Sequence, residues 1–421
     1  MIFHPSLVLK ALVPTIQVPE IHSSSSLGHV ILSDCPSLLR SFKPTPYVFN
    51  GHFHTLVCAI KNVIYTNTPN ITYHREKFYI SKKAYVALDF ATSDNKNPLV
   101  LLLHGLSGDS SEYYIRSCVS QLLGKDFNVV VMNARGCGNS TLETPQSYSA
   151  SYTHDLSCVV KHLSRNHKTI IAVGFSAGAN ILVKYLGEGD DLLFAAVAIG
   201  NPFDLTKTSI NMQSTMLHRH VYNPILTYYL KALALRNTLV FKTHPDICMT
   251  KVAATTTVQE FDHELTIKMF GHRDLTEYYE SGSSRVFLKD VKCPLLCLHA
   301  LDDPICPATA LPTREEILEN ENLMLVTTSC GGHFGFCQGP MGATCWVDDV
   351  VAEYCEAIVK HHVVREEARP ERVTEQKVTL VSELEDTSDE DLISWNDPST
   401  YLALGTVAIL SYSHIKRSLR M

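Results

Sequence analysis

The sequence has no apolar run long enough to cross a membrane, no Cys-x-x-Cys pair, no basic cluster of nucleic-acid type in its body and no internal repeat. Each absence removes a class of function. A spanning helix needs about 20 consecutive apolar residues. Residues 1–19 are interrupted by His4, Pro5, Lys10 and Pro14, and Tyr401 to Tyr412 is short, so neither end reads as a span. The first residues also lack the basic start and small-residue cleavage site of a secretory signal. Lys and Arg number 36 against 43 Asp and Glu, a net charge of -7. Contact with a phosphate backbone requires a basic face that this balance does not supply, which excludes a nucleic-acid partner. The 13 cysteines are odd in number and scattered, so they describe neither a disulfide framework nor a zinc or thioredoxin motif. Cys158, Cys248 and Cys297 lie in apolar neighbourhoods, where free cysteine acts as a small hydrophobe, and a reducing, intracellular compartment follows. The sequons at Asn70 and Asn139 matter only if the domain faces a secretory lumen.

What is present is a globular composition, 45% hydrophobic and 19% charged, with enough apolar material for a sizeable core. Near Val364 the composition shifts to charge, Ser and Thr. The organisation expected is an N-terminal extension over 1–40, one α/β domain over 41–363, an acidic linker over 364–398 and an apolar tail over 399–421. His414, Lys416, Arg417 and Arg420 flank the tail's apolar run, so it reads either as an interfacial anchor on a membrane surface or as a helix packed back on the domain.

Within the body, Lys77 to Ala91 predicts a leading antiparallel pair of strands. Leu99 to Leu103, Asn128 to Met132, Thr169 to Val173 and Ala195 to Ile199 are short apolar runs closed by turn residues, the pattern of strands buried on both faces. Two more strands are expected at Pro294 to His299 and Asn322 to Thr327, then an amphipathic helix from about Trp346 to His361. Alternation of such runs with helical patterns specifies a mostly parallel sheet flanked by helices. Residues 204–290 carry helical periodicity and many aromatics but no strand, and read as a helical cap over a site.

The strongest chemical signal is Gly174-Phe175-Ser176-Ala177-Gly178, directly after the run TIIAV and before the helical run ANILVKYLGE. A G-x-S-x-G nucleophile elbow needs that context, because small residues let the backbone make a strained strand-to-helix turn that holds the serine out above the sheet. A serine hydroxyl needs a general base, and the base needs an orienting carboxylate. Sheets of this kind present them in the chain order Ser, acid, His. His333 follows the last strand in Cys330-Gly331-Gly332-His333, where the glycines allow a tight loop, whereas His299, His361 and His362 fall inside elements. Asp302 and Asp303 are adjacent after His299-Ala300-Leu301; in proteins that resemble this one around the elbow, such a strand usually ends in a small residue with the acid three positions later, which from Ala300 implies Asp303 and leaves Asp302 to brace the turn. Two backbone N–H groups should form an oxyanion hole: Ala177, after the nucleophile, and Leu106, in His104-Gly105-Leu106-Ser107-Gly108. His104 and Asp109 also spell H-x4-D, a pattern offered for acyl transfer to lysolipids; the plainer reading makes His104 a brace of the loop and Asp109 the cap of the next helix.

These residues, with GHFHT at 51–55, HGLSGDS, NARGCGNS, GFSAGANILVKYLGE, GNPFDL, FDHELTIKMFG, EYYESGSS, ALDDPI and CGGHFGF, resemble the YheT-type branch of the α/β-hydrolases over about residues 40 to 362. That branch includes the animal α/β-hydrolase-domain lipases and the yeast medium-chain ester-forming enzymes. The resemblance implies the α/β-hydrolase fold, a nucleophile, acid and base on Ser176, Asp303 and His333, and acylglycerols, phospholipids or medium-chain fatty esters as substrates. The reading is a serine hydrolase of lipid esters, an acylglycerol lipase by preference, that needs no metal or cofactor. Alternatives are an acyltransferase, a phospholipase and a lipid-binding, receptor-like protein without turnover. Expected partners are the lipid substrate and a membrane surface; the sequence does not specify an oligomeric state.

Overall fold

The computed structural model describes residues 18–65, 69–92, 98–189 and 192–367. The chain divides into a compact unit of residues 1–358 and a second unit of residues 359–421, of which only 359–367 are described. The acidic linker from 368 and the apolar tail therefore lie outside the described residues.

A nine-stranded sheet runs through the first unit. Its strands are β1 (Glu20–Ser23), β2 (His74–Ser81), β3 (Ala84–Ala91), β4 (Leu99–Leu103), β5 (Asn128–Asn133), β6 (Ile170–Phe175), β7 (Ala195–Ile199), β8 (Leu295–Ala300) and β9 (Leu323–Thr328). In space they lie in the order β1-β9-β8-β7-β6-β4-β5-β3-β2. From β5 to β9 the pairings are parallel, while β2, β3 and β1 add antiparallel strands at the two edges. The central strands are buried at every position, which is why LVLLL and AAVAI show no alternation of polarity.

The order places the chemistry. The chain leaves β4, crosses outward through the helix Tyr113–Leu123 to β5, then returns through His154–Leu163 to β6 on the other side of β4. β4 and β6 are therefore neighbours whose outgoing loops diverge, with Leu103 opposite Gly174, and ligands bind in the crevice at such a reversal. The loop with Leu106 leaves one strand and the turn with Ser176 leaves the other.

Between β7 and β8 the described chain is helical, as the periodicity of 204–290 predicts. It includes Asn223–Arg236 and two π-helical turns, His218–Tyr222 and Asp262–Thr266. This insertion has an apolar cluster of its own around Leu230, Phe241, Val252, Phe261 and Leu265, joined to the body through Leu142.

One element falls where the sequence predicts only an extension. Glu20–Ser23 pairs antiparallel with β9, Glu20 opposite Thr327, and closes that edge of the sheet. The string EIHS has a single large apolar residue, so its pairing comes from backbone hydrogen bonds and carries no alternation to read.

Candidate active site

At the end of β6 the helix Ala177–Gly187 begins at once, and Ser176 between them has φ +52° and ψ -118°, a strained conformation for a residue with a Cβ. The turn closes because Gly178 has no side chain: a Cβ there would stand 2.5 Å from the carbonyl oxygen of His104. The helix start is thereby seated against the end of β4. Ser176 N–H donates to Ile199 O at 2.9 Å, tying the elbow to β7.

Ser176 Oγ lies 3.0 Å from His333 Nε2, and His333 Nδ1 lies 2.8 Å from Asp303 Oδ2. The three side chains form one buried line across the ends of β6, β8 and β9. The other Asp303 oxygen accepts from the Ile305 and Cys306 amides at 2.8 and 2.9 Å, which fixes the carboxylate in its turn. Burial would raise this carboxyl, but the charge and hydrogen bond of His333 hold it below its ordinary value.

Asp302 points elsewhere. Its Oδ1 accepts from Gly332 N–H at 2.9 Å, and burial pushes the group up to about 6. Of the adjacent pair, Asp303 reaches the imidazole and Asp302 braces the loop that carries it.

The His333 loop rests on the helix Gly51–Ile64. His333 N–H donates to Thr55 Oγ1 at 2.8 Å, and that hydroxyl donates to Gly51 O at 2.7 Å. Gly332 has φ +58°, and a Cβ on it would stand 2.2 Å from Gly51 O, so only glycine fits between helix and loop. On the same helix His54 Nδ1 accepts from Cys337 N–H at 3.1 Å and His52 Nδ1 lies 2.8 Å from Tyr222 OH of the insertion. Both rings are pushed down to about 4 by burial, His52 with help from His218. Thr55 and these histidines had no assigned role in the sequence beyond the string GHFHT. The sequence reading assigns no helix here, and nothing local in the string points to a partner some 280 positions away.

The proposed oxyanion donors stand where the reversal of strand order puts them. Ala177 heads its helix, where the first N–H groups have no intrahelical acceptor, and Leu106 N–H has no partner among the described residues. The Leu106 loop is held by Gly105 N–H donating to Tyr114 OH at 2.8 Å and by His104, whose Nε2 accepts from Ala134 N–H at 3.1 Å. His104 thus braces the loop. Asp109 does not cap a helix: its carboxylate closes a turn onto Ser111 N–H at 2.7 Å, and the next helix starts later, with Glu112 as N-cap. The two residues of the H-x4-D string do not meet, since His104 is buried under Ala134 and Asp109 turns to an exposed serine. His299 is a buried strand residue bonded to Cys306 O at 3.0 Å.

A family model described as "alpha/beta hydrolase fold" matches residues 98–340, from β4 to beyond His333. The chain belongs to this family. Among its curated relatives, embryogenesis-associated protein EMB8 of Picea glauca is 34% identical over 366 residues, covering 82% of this hydrolase and 78% of that protein. Phospholipase ABHD3 of Homo sapiens is 30% identical over 352 residues, with 80% and 83% covered. A monoacylglycerol lipase of Saccharomyces cerevisiae is 35% identical over 252 residues, 58% of this hydrolase and 56% of that chain. Solved structures similar to it include Est1E from Butyrivibrio proteoclasticus bound to ferulic acid, at 14% identity and a TM-score of 0.46, covering 68% of this chain and 99% of that one.

Proposed function

We propose that this hydrolase cleaves carboxylic esters of lipids, acylglycerols foremost, with Ser176 as nucleophile, and that it lies in the YheT-type branch of its family. The observation that carries the catalytic reading is the unbroken hydrogen-bonded line from Ser176 Oγ through His333 to Asp303, at 3.0 and 2.8 Å. His333 Nε2 takes the hydroxyl proton as Oγ attacks the ester carbonyl. Asp303 holds the proton on Nδ1 and stabilises the imidazolium that forms. The Leu106 and Ala177 N–H groups face the oxyanion, His333 returns the proton to the departing alcohol, and water then frees the acid from Ser176. No step uses a metal or cofactor. The lipid half of the reading is supported by relatives named monoacylglycerol lipase and phospholipase.

A fluorophosphonate probe should label the wild-type protein at Ser176 and leave Ser176→Ala unlabelled; undiminished labelling of the variant would refute the assignment. Incubation with mixed lipid extract, with and without ethanol, read by mass spectrometry, should show loss of acylglycerols and gain of free fatty acid. Ethyl esters formed in place of acid would make it an acyltransferase, and loss confined to phospholipids would make it a phospholipase.

A further inference from the structure

One further reactive group, the Cys306 thiol, touches the catalytic line without taking part in it. Cys306 is 1% exposed and its thiol sits against the Ser176 hydroxyl. Ligand atoms of Cys306, Asp303 and His333 all lie within 4.8 Å of one another. Cys306 is held in place by its own amide, which donates to Asp303 Oδ1 at 2.9 Å, so thiol and carboxylate belong to one rigid turn.

We propose that Asp303, Cys306 and His333 form an inhibitory binding site for a borderline-soft divalent cation, Zn²⁺ in the first instance. The inference rests on the catalytic reading for its effect on activity, but not for binding. A thiolate, an imidazole nitrogen and a carboxylate are the donor types zinc takes, with bonds of about 2.0–2.3 Å. Tetrahedral bonds of that length set ligand atoms about 3.3–3.8 Å apart, so a contact of 2.8 Å between His333 and Asp303 has to open by about half an ångström. The charges close as well. Zinc displaces one proton, from the Cys306 thiol, and the resulting thiolate with the ionised Asp303 neutralises the dication in a buried place where net charge is costly. The fourth position falls to water or to the Ser176 hydroxyl.

Occupation and catalysis exclude one another. If the ion takes His333 Nδ1, the proton held there passes to Nε2 and the imidazole loses Asp303; if it takes Nε2, the imidazole can no longer receive the Ser176 proton. Either nitrogen costs the relay one of its two hydrogen bonds.

The test uses the full chain with zinc chloride alone. Wild type, Cys306→Ala, Cys306→Ser and Ser176→Ala are dialysed against zinc, and bound metal is counted by elemental analysis beside ester turnover. Wild type should lose turnover reversibly, with recovery on adding a chelator. Cys306→Ala should bind one equivalent less and need more than about 10-fold more zinc for the same inhibition, since losing a ligand costs at least what losing a ligand's hydrogen-bond partner does. Ser176→Ala, inactive if the catalytic reading holds, should still bind the wild-type amount. Equal binding and equal inhibition in wild type and both folded Cys306 variants would overturn the site. Turnover surviving in Ser176→Ala would overturn the catalytic reading instead, and leave the metal count to be judged by itself.

Discussion

Two neighbouring carboxylates separate by what each one accepts. Asp303 takes the imidazole N–H of His333 and two backbone amides, whereas Asp302 takes backbone groups alone, those of the His333 loop and of Gly51. Asp303→Asn should therefore lower kcat/KM on a soluble ester by about 10⁴-fold, the effect the same change has in a serine-protease triad, because the wrong tautomer of the base results. Asp302→Asn retains an acceptor oxygen for Gly332 N–H and should cost about 1 kcal/mol of stability while sparing most turnover. Kinetics on both variants, with circular dichroism to confirm folding, decide it; a near-dead Asp302→Asn with an active Asp303→Asn would reverse the roles. This assignment was half legible in the sequence. The count from Ala300 selects a position, but which way each side chain points depends on Gly332 and Gly51, which are distant in the chain and close in space.

At the scale of elements, the buried strands and the elbow were readable because their signals are local: an unbroken apolar run, then Gly-x-Ser-x-Gly, then a helical run. The supporting helix Gly51–Ile64 and the edge strand Glu20–Ser23 were not, since what defines them is a partner elsewhere. The helix Trp346–Glu367 shows a further property that spacing hides. Asp348 in its first turn accepts from the Ser117 hydroxyl, and burial pushes its carboxyl up to about 7, with Asp349 adding to the rise. An unfolded aspartate titrates near about 3.9, so between about 4 and 7 the folded chain holds a proton that the unfolded chain has released. The sign is then set. This group's stabilising contribution is present below that window and is lost as pH rises through it. His52 and His54, pushed down to about 4, act oppositely and lose their contribution as pH falls from about 6.5. Asp348→Asn isolates the first effect: its melting temperature relative to the wild type should climb from pH 5 to pH 8. A difference that stays flat would show that the carboxyl titrates normally.

For the whole molecule, no described helix is long and apolar enough to cross a membrane. The segment with an apolar run and basic flank, 401–420, lies outside the described residues and beyond the unit that holds Ser176, Asp303 and His333. We infer that attachment and catalysis are separable. Deleting residues 397–421 should leave turnover of a soluble short-chain ester unchanged and reduce recovery with lipid vesicles on flotation. Equal recovery of the truncated chain would place the contact on the body.

The closing of the sheet edge by β1 has a consequence in time. Ser23 Oγ donates to Leu323 O across 300 positions, and Ser176 meets His333 across 157. A ribosome adds about 5–20 residues per second, so β1 waits roughly 15–60 s for its partner strand and the serine roughly 8–30 s for its histidine. Of the described strands of this sheet, the one made first pairs with the one made last. Between the synthesis of Ser176 and that of His333 the nascent chain carries the elbow without the imidazole that stands against it, and the proposed relay closes only after His333 has followed.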